Sequence, residues 1–411
     1  MPPLKLFYKK EIYYFLFFIF LLFCLNLFIK YAEYKHFKQD EVYQTTATVV
    51  NIYDKPNYKI IKLHTSKFNF FTSISKDMAI SQLDKVDIFL VTTKVSFIEY
   101  LKGFYTKSFG MIKIAQTISL RKRLAQIISS EHQDKIFSSF YNALFLAIPI
   151  NRELRDICSR FGISHLIAIS GFHLGVISFV LYYCIFLVYN PIHQKFCPYR
   201  NKKYDILVVV SFILLLYVVF LGEVASLLRA FFMFIFGIFL LRNNIKILSF
   251  ETLFVVIVSI IALFPSLLFS LSLWFSVAGV FYIFLFLHYF KSMPKYLQLV
   301  FFNIWIFLAI NPIVHYFFPT TTLYQLYSPI FTLGFVVFYP FMAICHIVGL
   351  GDILDDILKI IFNIDMVAYD VFTPLWFLIS YILVSVGSIW FRSMFVVLNI
   401  LLFGYSLFIF K

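Results

Sequence analysis

The sequence predicts a polytopic α-helical membrane protein of about ten transmembrane spans that also carries one small β domain. Hydrophobic residues make up 61% of the 411 and charged residues only 14%, where soluble domains hold about 45–50% and about 25%. The apolar residues recur in runs of the length needed to cross a bilayer, whose ~30 Å core takes ~20 residues of helix. One polar interval, Lys30 to Lys107, instead alternates apolar and polar with period two, the mark of half-buried strands.

Residues 1–30 read as an N-terminal transmembrane anchor. Lys5, Lys9 and Lys10 precede the apolar run Ile12–Ile29. That run is too long for a signal peptide and lacks a small-residue cleavage site, so it reads as uncleaved with a cytoplasmic N-terminus. Residues 31–107 hold the alternating stretches Glu41–Ile52, Lys59–Leu63, Phe68–Ile74 and Val86–Val95, with a turn at Asp54-Lys55-Pro56-Asn57. Four or five short strands fit a small barrel or sandwich. Residues 108–160 read as an amphipathic helical connector, with Arg152, Asp156 and Arg160 on one helix face. Residues 161–411 form a multi-span domain, with spans expected at 162–189, 205–222, 224–241, 247–264, 267–289, 298–318, 326–349, 373–391 and 393–410. Gly351–Asp370 is acidic and amphipathic and reads as an interfacial helix on one side of the membrane or the other.

Short basic loops set the orientation. Lys195, Arg200, Lys202 and Lys203, then Arg242 and Lys246, then Lys291 and Lys295, fall at alternate loops. The positive-inside rule places all three groups in the cytoplasm and the β domain outside. The net charge of +14 is largely this orientation signal. None of the five cysteines has CxxC or zinc-ligand spacing.

Phe161 to Val180, FGISHLIAISGFHLGVISFV, departs from lipid-facing chemistry. Polar groups at membrane depth face a protein interior or a wet path. Ser170 and Gly171 mark a kink or interruption. His165 and His173 are eight residues apart, so on one helix they lie roughly 80° apart around the axis. A span beginning at Phe161 puts His173 about 18 Å down, near the midplane. They line a path or constriction, or they fix the bundle by interhelical hydrogen bonds. No carboxylate or cysteine completes a metal site around them. Arg229 lies a few residues below the outer surface, with Ser226 one turn earlier. Its guanidinium either receives phosphate bidentately or pairs internally with Glu223. In the β domain, Lys55, Lys59, Lys62, Lys67 and Lys76 interleave with Tyr53, Tyr58, Phe68, Phe70 and Phe71. Lysines that follow a backbone and aromatics that stack bases hold single strands without sequence preference. The plain alternative is a solvated β domain with ordinary core aromatics. No GxxxxGK[ST] loop is present, and no cofactor is called for.

Three segments resemble the ComEC family of DNA-uptake channel proteins. Gly162 to His173 is similar to the family's Gly-x-Ser-His-Leu-x-Ala-Ile-Ser-Gly-x-His signature. Gly222–Ala230, GEVASLLRA, resembles its Gly-x-x-x-Ser-x-x-Arg-Ala segment. Phe269–Phe281 is similar to its Phe-x-Leu-Ser-x-x-Ala-x-x-Gly segment, with Phe275 in the alanine position and Gly279 one residue late. Order and spacing agree, over about 145–350.

The resemblance implies an OB-like extracytoplasmic β domain and passage of one DNA strand across the inner membrane during natural transformation. It also implies a periplasmic DNA receptor and a cytoplasmic motor or strand-binding proteins as partners, besides single-stranded DNA and the bilayer; a homo-oligomer is left open. Many members carry a metallo-β-lactamase-like domain. This chain has no His-x-His-x-Asp-His cluster, looks like a short form, and is expected not to be an enzyme, with nuclease activity of the β domain left open. The pathway residues expected are His165, Ser170, Gly171, His173, Ser226 and Arg229. The rival readings are a secondary transporter or lipid-linked glycan flippase, against which few intramembrane carboxylates are seen, and a hydrolase built on Ser170 and His173, which lacks a third group.

Overall fold

The computed structural model describes residues 10–114, 119–222, 225–243 and 249–411. In chain order the helices are α1 Glu11–Phe37, α2 Phe97–Lys102, α3 Leu120–Glu131, α4 Lys135–Leu146, α5 Arg152–Arg160, α6 Ser164–Ile167, α7 Gly171–Phe196, α8 Lys202–Leu221, α9 Ala225–Arg242, α10 Phe250–Leu263, α11 Leu271–Tyr289, α12 Lys295–Phe317, α13 Ser328–Val348, α14 Asp355–Phe362, α15 Leu375–Gly387 and α16 Arg392–Ile409. The strands are β1 Val42–Asp54, β2 Lys59–His64, β3 Asn69–Ile74, β4 Lys85–Val91, β5 Phe104–Tyr105, β6 Ser108–Lys113, β7 Thr320–Thr321 and β8 Tyr369–Asp370. The chain divides into two units, Met1–Ile127 with Phe254–Leu273, and Ile128–Leu253 with Trp274–Lys411.

The first unit is built on a six-stranded sheet of order β5-β3-β2-β1-β4-β6. Its pairs are antiparallel except β3 with β5. The long β1 serves two partners. Val42–Thr48 pair with β4 and Thr48–Asp54 with β2, with a register shift between Val49 and Asn51 that bends the strand. Alternation puts Ala47, Val49, Ile61, Leu63, Phe70, Val86, Ile88 and Leu90 into one core. The end of α1 joins that core. Phe37 is 1% exposed and packs on Phe68, Tyr100 and Phe104 at 5.0, 5.5 and 5.5 Å between ring centroids. An uninterrupted helix of 27 residues is about 40 Å long, so it can cross a ~30 Å hydrocarbon core and still plug the sheet.

The second unit is a helical bundle. One of its cores gathers Tyr282, Phe286, Trp305, Tyr381, Phe395 and Leu398 from α11, α12, α15 and α16. Polar atoms inside it are paired: Trp305 Nε1 donates to Asn399 Oδ1 at 2.9 Å and the Tyr381 hydroxyl to the Ala309 carbonyl at 2.7 Å.

Among the described residues seven helical segments are long and apolar enough to cross a membrane: Glu11–Phe37, Gly171–Phe196, Lys202–Leu221, Leu271–Tyr289, Lys295–Phe317, Leu323–Val348 and Arg392–Ile409. The other three of the expected ten spans are also helices, but do not meet that length and hydropathy. Spans expected at 247–264 and 373–391 are helices of 14 and 13 residues, about 20 Å long and too short to cross alone. Pro265 ends the first of these by opening a 3₁₀ turn. The span expected at 224–241 is represented by the 18-residue α9, and Lys5, Lys9 and Lys246 lie outside the described residues.

Candidate functional site

The expected interruption at Ser170-Gly171 is present. Helix α6 ends at Ile167, Ala168 and Ser170 are extended, and α7 starts afresh at Gly171. Ser170 caps α7. The Phe172 amide donates to Ser170 Oγ at 3.3 Å, and the Ser170 amide donates to His173 Nδ1 at 3.2 Å. The Ser170 hydroxyl also lies 3.3 Å from the same nitrogen. Capping accounts for both residue types: serine oxygen satisfies an amide that the first turn leaves unpaired, and the ring nitrogen returns the favour.

This geometry corrects the single-helix premise. His165 and His173 belong to different helices, so the separation of roughly 80° and the straight rise of about 18 Å from Phe161, which both assume one helix, do not apply; His173 is the third residue of its own helix.

The cap fixes the tautomer of His173. A ring nitrogen that accepts from an amide carries no proton, so in the neutral ring the proton is on Nε2. That nitrogen is buried and has no well-aligned hydrogen-bond partner among the described residues, the Leu166 carbonyl being an acceptor outside good geometry. The imidazole, with no exposure, is enclosed edge-on by Phe335 and Tyr339, with centroids at 5.2 and 5.0 Å. A buried donor left wholly unpaired costs about 1–3 kcal/mol, and a poorly aligned acceptor recovers part of that.

Helix α13 runs past both histidines. His165 lies at the protein surface, with Nε2 3.3 Å from Thr332 Oγ1. The Gly162 carbonyl accepts from Ser328 Oγ at 2.9 Å, and Gln325 Nε2 donates to the Ser159 carbonyl at 3.0 Å. Gly162 has φ +67°, and a Cβ there would sit 3.3 Å from Gln325 Cγ, so glycine is required by both backbone and space. Sequence reasoning missed Gln325, Ser328, Thr332, Phe335 and Tyr339. Their one signal is the polar run Thr320-Thr321-Thr322 through Gln325 to Ser328 at the head of an apolar span.

The second expected segment meets the first. A Cβ on Gly171 would lie 3.7 Å from Ala230 Cβ, so the break before α7 rests on α9 beside Arg229, which is 5% exposed. Ser226 is in the first turn of α9; its side chain, and Glu223, lie outside the described residues.

In the β unit, Lys55 and Lys67 are exposed in turns, while Lys59 and Lys62 lie half-buried along β2. Phe70 is corrected. It faces inward with no exposure and stacks on Phe104 at 6.0 Å, so it offers no face to a base. Its neighbour Phe71 points outward, opposite Lys62 and Tyr105 in register, with Lys62 Nζ 5.7 Å above its ring and Tyr53 6.5 Å away. Among the described residues no group of three His, Cys, Asp or Glu is placed to hold a metal ion.

A family model described as Competence protein matches residues 149–410. The chain belongs to this family. The match covers the capped break, α9 with Arg229, and α13 together, and membership ties this membrane protein to DNA uptake in competence. No curated protein and no solved structure matches the chain.

Proposed function

We propose that this competence protein passes a single DNA strand across the inner membrane, along a path bordered by Ser170, His173 and Arg229. The observation that carries the reading is the Nε2–H of His173: a buried donor with no well-aligned partner among the described residues, only the Leu166 carbonyl near it, in a helix long enough to span the bilayer. A phosphodiester cannot enter hydrocarbon, and groups that line its way must offer donors. Arg229, on the helix that touches the break, matches phosphate geometry. The serine–histidine pair is engaged as a helix cap, which speaks against a hydrolytic dyad, and the reading assigns no catalytic step to the chain. The transporter and flippase alternative draws no support from the family match.

In the same reading the β domain is extracytoplasmic and OB-like. It receives the strand on the outer face of β1, β2, β3 and β5, where Tyr53, Lys62, Phe71 and Tyr105 are clustered. A periplasmic receptor delivers DNA, and a cytoplasmic motor or strand-binding protein draws it through, since the chain has no P-loop.

The test feeds fluorescent duplex DNA to competent cells lacking the protein and complemented with wild type or His173→Ala, with protein levels checked by blot. Periplasmic DNA should accumulate, with cytoplasmic entry lost, in both the deletion and the variant. Intact cytoplasmic entry in the deletion would remove the DNA assignment.

A further inference from the structure

His132 and two side chains more than 200 residues further on, His346 and Asp355, form a row within the second unit. Asp355 Oδ2 lies 2.8 Å from His132 Nδ1, and His132 Nε2 lies 3.1 Å from His346 Nε2. His346 Nδ1 lies 2.7 Å from the Met342 carbonyl. His132 follows α3, His346 is in the last turn of α13, and Asp355 opens α14.

The proton inventory of this row is fixed by its end. A carbonyl only accepts, so His346 Nδ1 carries a proton and donates. In a neutral ring His346 Nε2 is then a bare acceptor, and His132 Nε2 must donate to it. Between His132 Nδ1 and the carboxyl one further proton is needed, whether it sits on nitrogen or on oxygen. Three hydrogen bonds thus take three protons, whereas a carboxylate with two neutral imidazoles carries two. The row holds one extra proton and is neutral as a whole.

The surroundings favour that loading. The His132 side chain has no exposure and that of Asp355 16%. Tyr141 stacks on His132 at 4.7 Å and covers His346 at 4.5 Å. Asp355 Oδ1 is buried without a partner among the described residues, a costly position for half of an ionised carboxylate. Burial pushes the Asp355 carboxyl up, against the opposing pull of His132. The other titratable groups facing the row are Glu131, whose Oε2 accepts from the Gly351 amide at 3.0 Å, Asp352, Cys345 and the Tyr141 hydroxyl. Beyond them Lys359 pairs with Asp134 at 3.4 Å.

The geometry points to a proton-operated latch that holds the turn between α13 and α14 on the α3–α4 hairpin. Phe362 completes the seat against Phe137 and Phe140, at 5.9 and 5.8 Å. With three protons the row is continuous. With two, bare lone pairs face each other between the imidazoles. With four, two N–H groups do. The turn is therefore held in a middle window of pH and released on both sides of it. This inference stands apart from the DNA path.

Hydrogen exchange of residues 349–364, read by mass spectrometry on the full chain in nanodiscs from pH 5 to 9, tests it. After correction for intrinsic exchange, protection should pass through a maximum. It should fall on each side with a limiting slope of about tenfold per pH unit, the value for one proton. His346→Gln has no second titrating ring and should flatten the profile; a bell retained in that variant overturns the latch. So does a flat wild-type profile, which needs no variant to fold. Chelator at fixed pH should leave protection unchanged. If it loosens the segment, a metal ion and not a proton lies between the two Nε2 atoms, and the proposal falls.

Discussion

Gly171 and Ala230 meet across two helices, with only 3.7 Å between a Cβ placed on the glycine and the alanine Cβ. The two segments that the sequence singles out for polar chemistry are thereby one structural feature, a capped break resting on the helix that carries Arg229. The contact also sets a size limit.

Gly171→Ala should be tolerated, because its added methyl meets ordinary van der Waals distance and the residue opens a helix. Gly162→Ala should not. Its φ of +67° is left-handed and its methyl would press on Gln325, which together should cost about 1–2 kcal/mol or more. Thermal unfolding of the two purified variants checks the contrast. Equal losses would mean that the Gly162 turn adjusts more freely than its packing implies.

Phe70 and Phe71 should separate stability from DNA binding. Phe70→Ala empties a fully buried site and should destabilise the β unit by about 3–5 kcal/mol. Phe71→Ala removes an outward ring and should leave the unfolding temperature nearly unchanged. It should weaken binding of a fluorescent oligothymidine by about 1–3 kcal/mol, the worth of one stacked base. Anisotropy titration of the full chain in nanodiscs measures this. Unchanged affinity would move the strand to another face.

Period two identifies β3 correctly, and parity also tells its faces apart: two of Phe70, Thr72 and Ile74 are apolar against one of Asn69, Phe71 and Ser73, so the expectation that Phe70 stacks on a base runs against its own pattern. The break at Ser170-Gly171 was legible because those residue types favour caps over helix interiors. The role of His173 was not, since a histidine is not among the usual cap partners. The apolar runs at 247–264 and 373–391 are helical, but their helices, Phe250–Leu263 and Leu375–Gly387, are shorter than the runs, because helix ends carry little hydropathy signal. His132 lies 214 residues from His346 and 223 from Asp355, so no local pattern joins them.

Ser170→Ala removes the oxygen that satisfies the Phe172 amide and should cost about 1 kcal/mol. The Ser170 amide still reaches His173, so the ring should keep its tautomer and DNA entry should persist at a reduced level. Ser170→Thr keeps the oxygen and should restore wild-type stability. If alanine abolished entry while stability held, the hydroxyl itself would have to contact the strand.

Asp84 should govern the acid sensitivity of the β unit. It is 4% exposed, and burial alone would raise its carboxyl. Lys113 Nζ at 2.7 Å, Lys122 Nζ at 2.5 Å and the Ser81 amide at 2.9 Å more than offset this and hold it well below the ordinary 3.8. A carboxyl depressed on folding adds stability that is complete above its unfolded value and is lost as pH falls toward the folded one. Wild type should therefore lose stability below about pH 4. Asp84→Asn should be less stable at pH 7 by about 1.5–3 kcal/mol, the value of hydrogen bonds to a charged group, and should show a shallower acid limb. Unfolding of the β unit followed from pH 7 to pH 2 in both proteins makes the comparison. Parallel acid limbs would show that another carboxylate, not Asp84, sets the response.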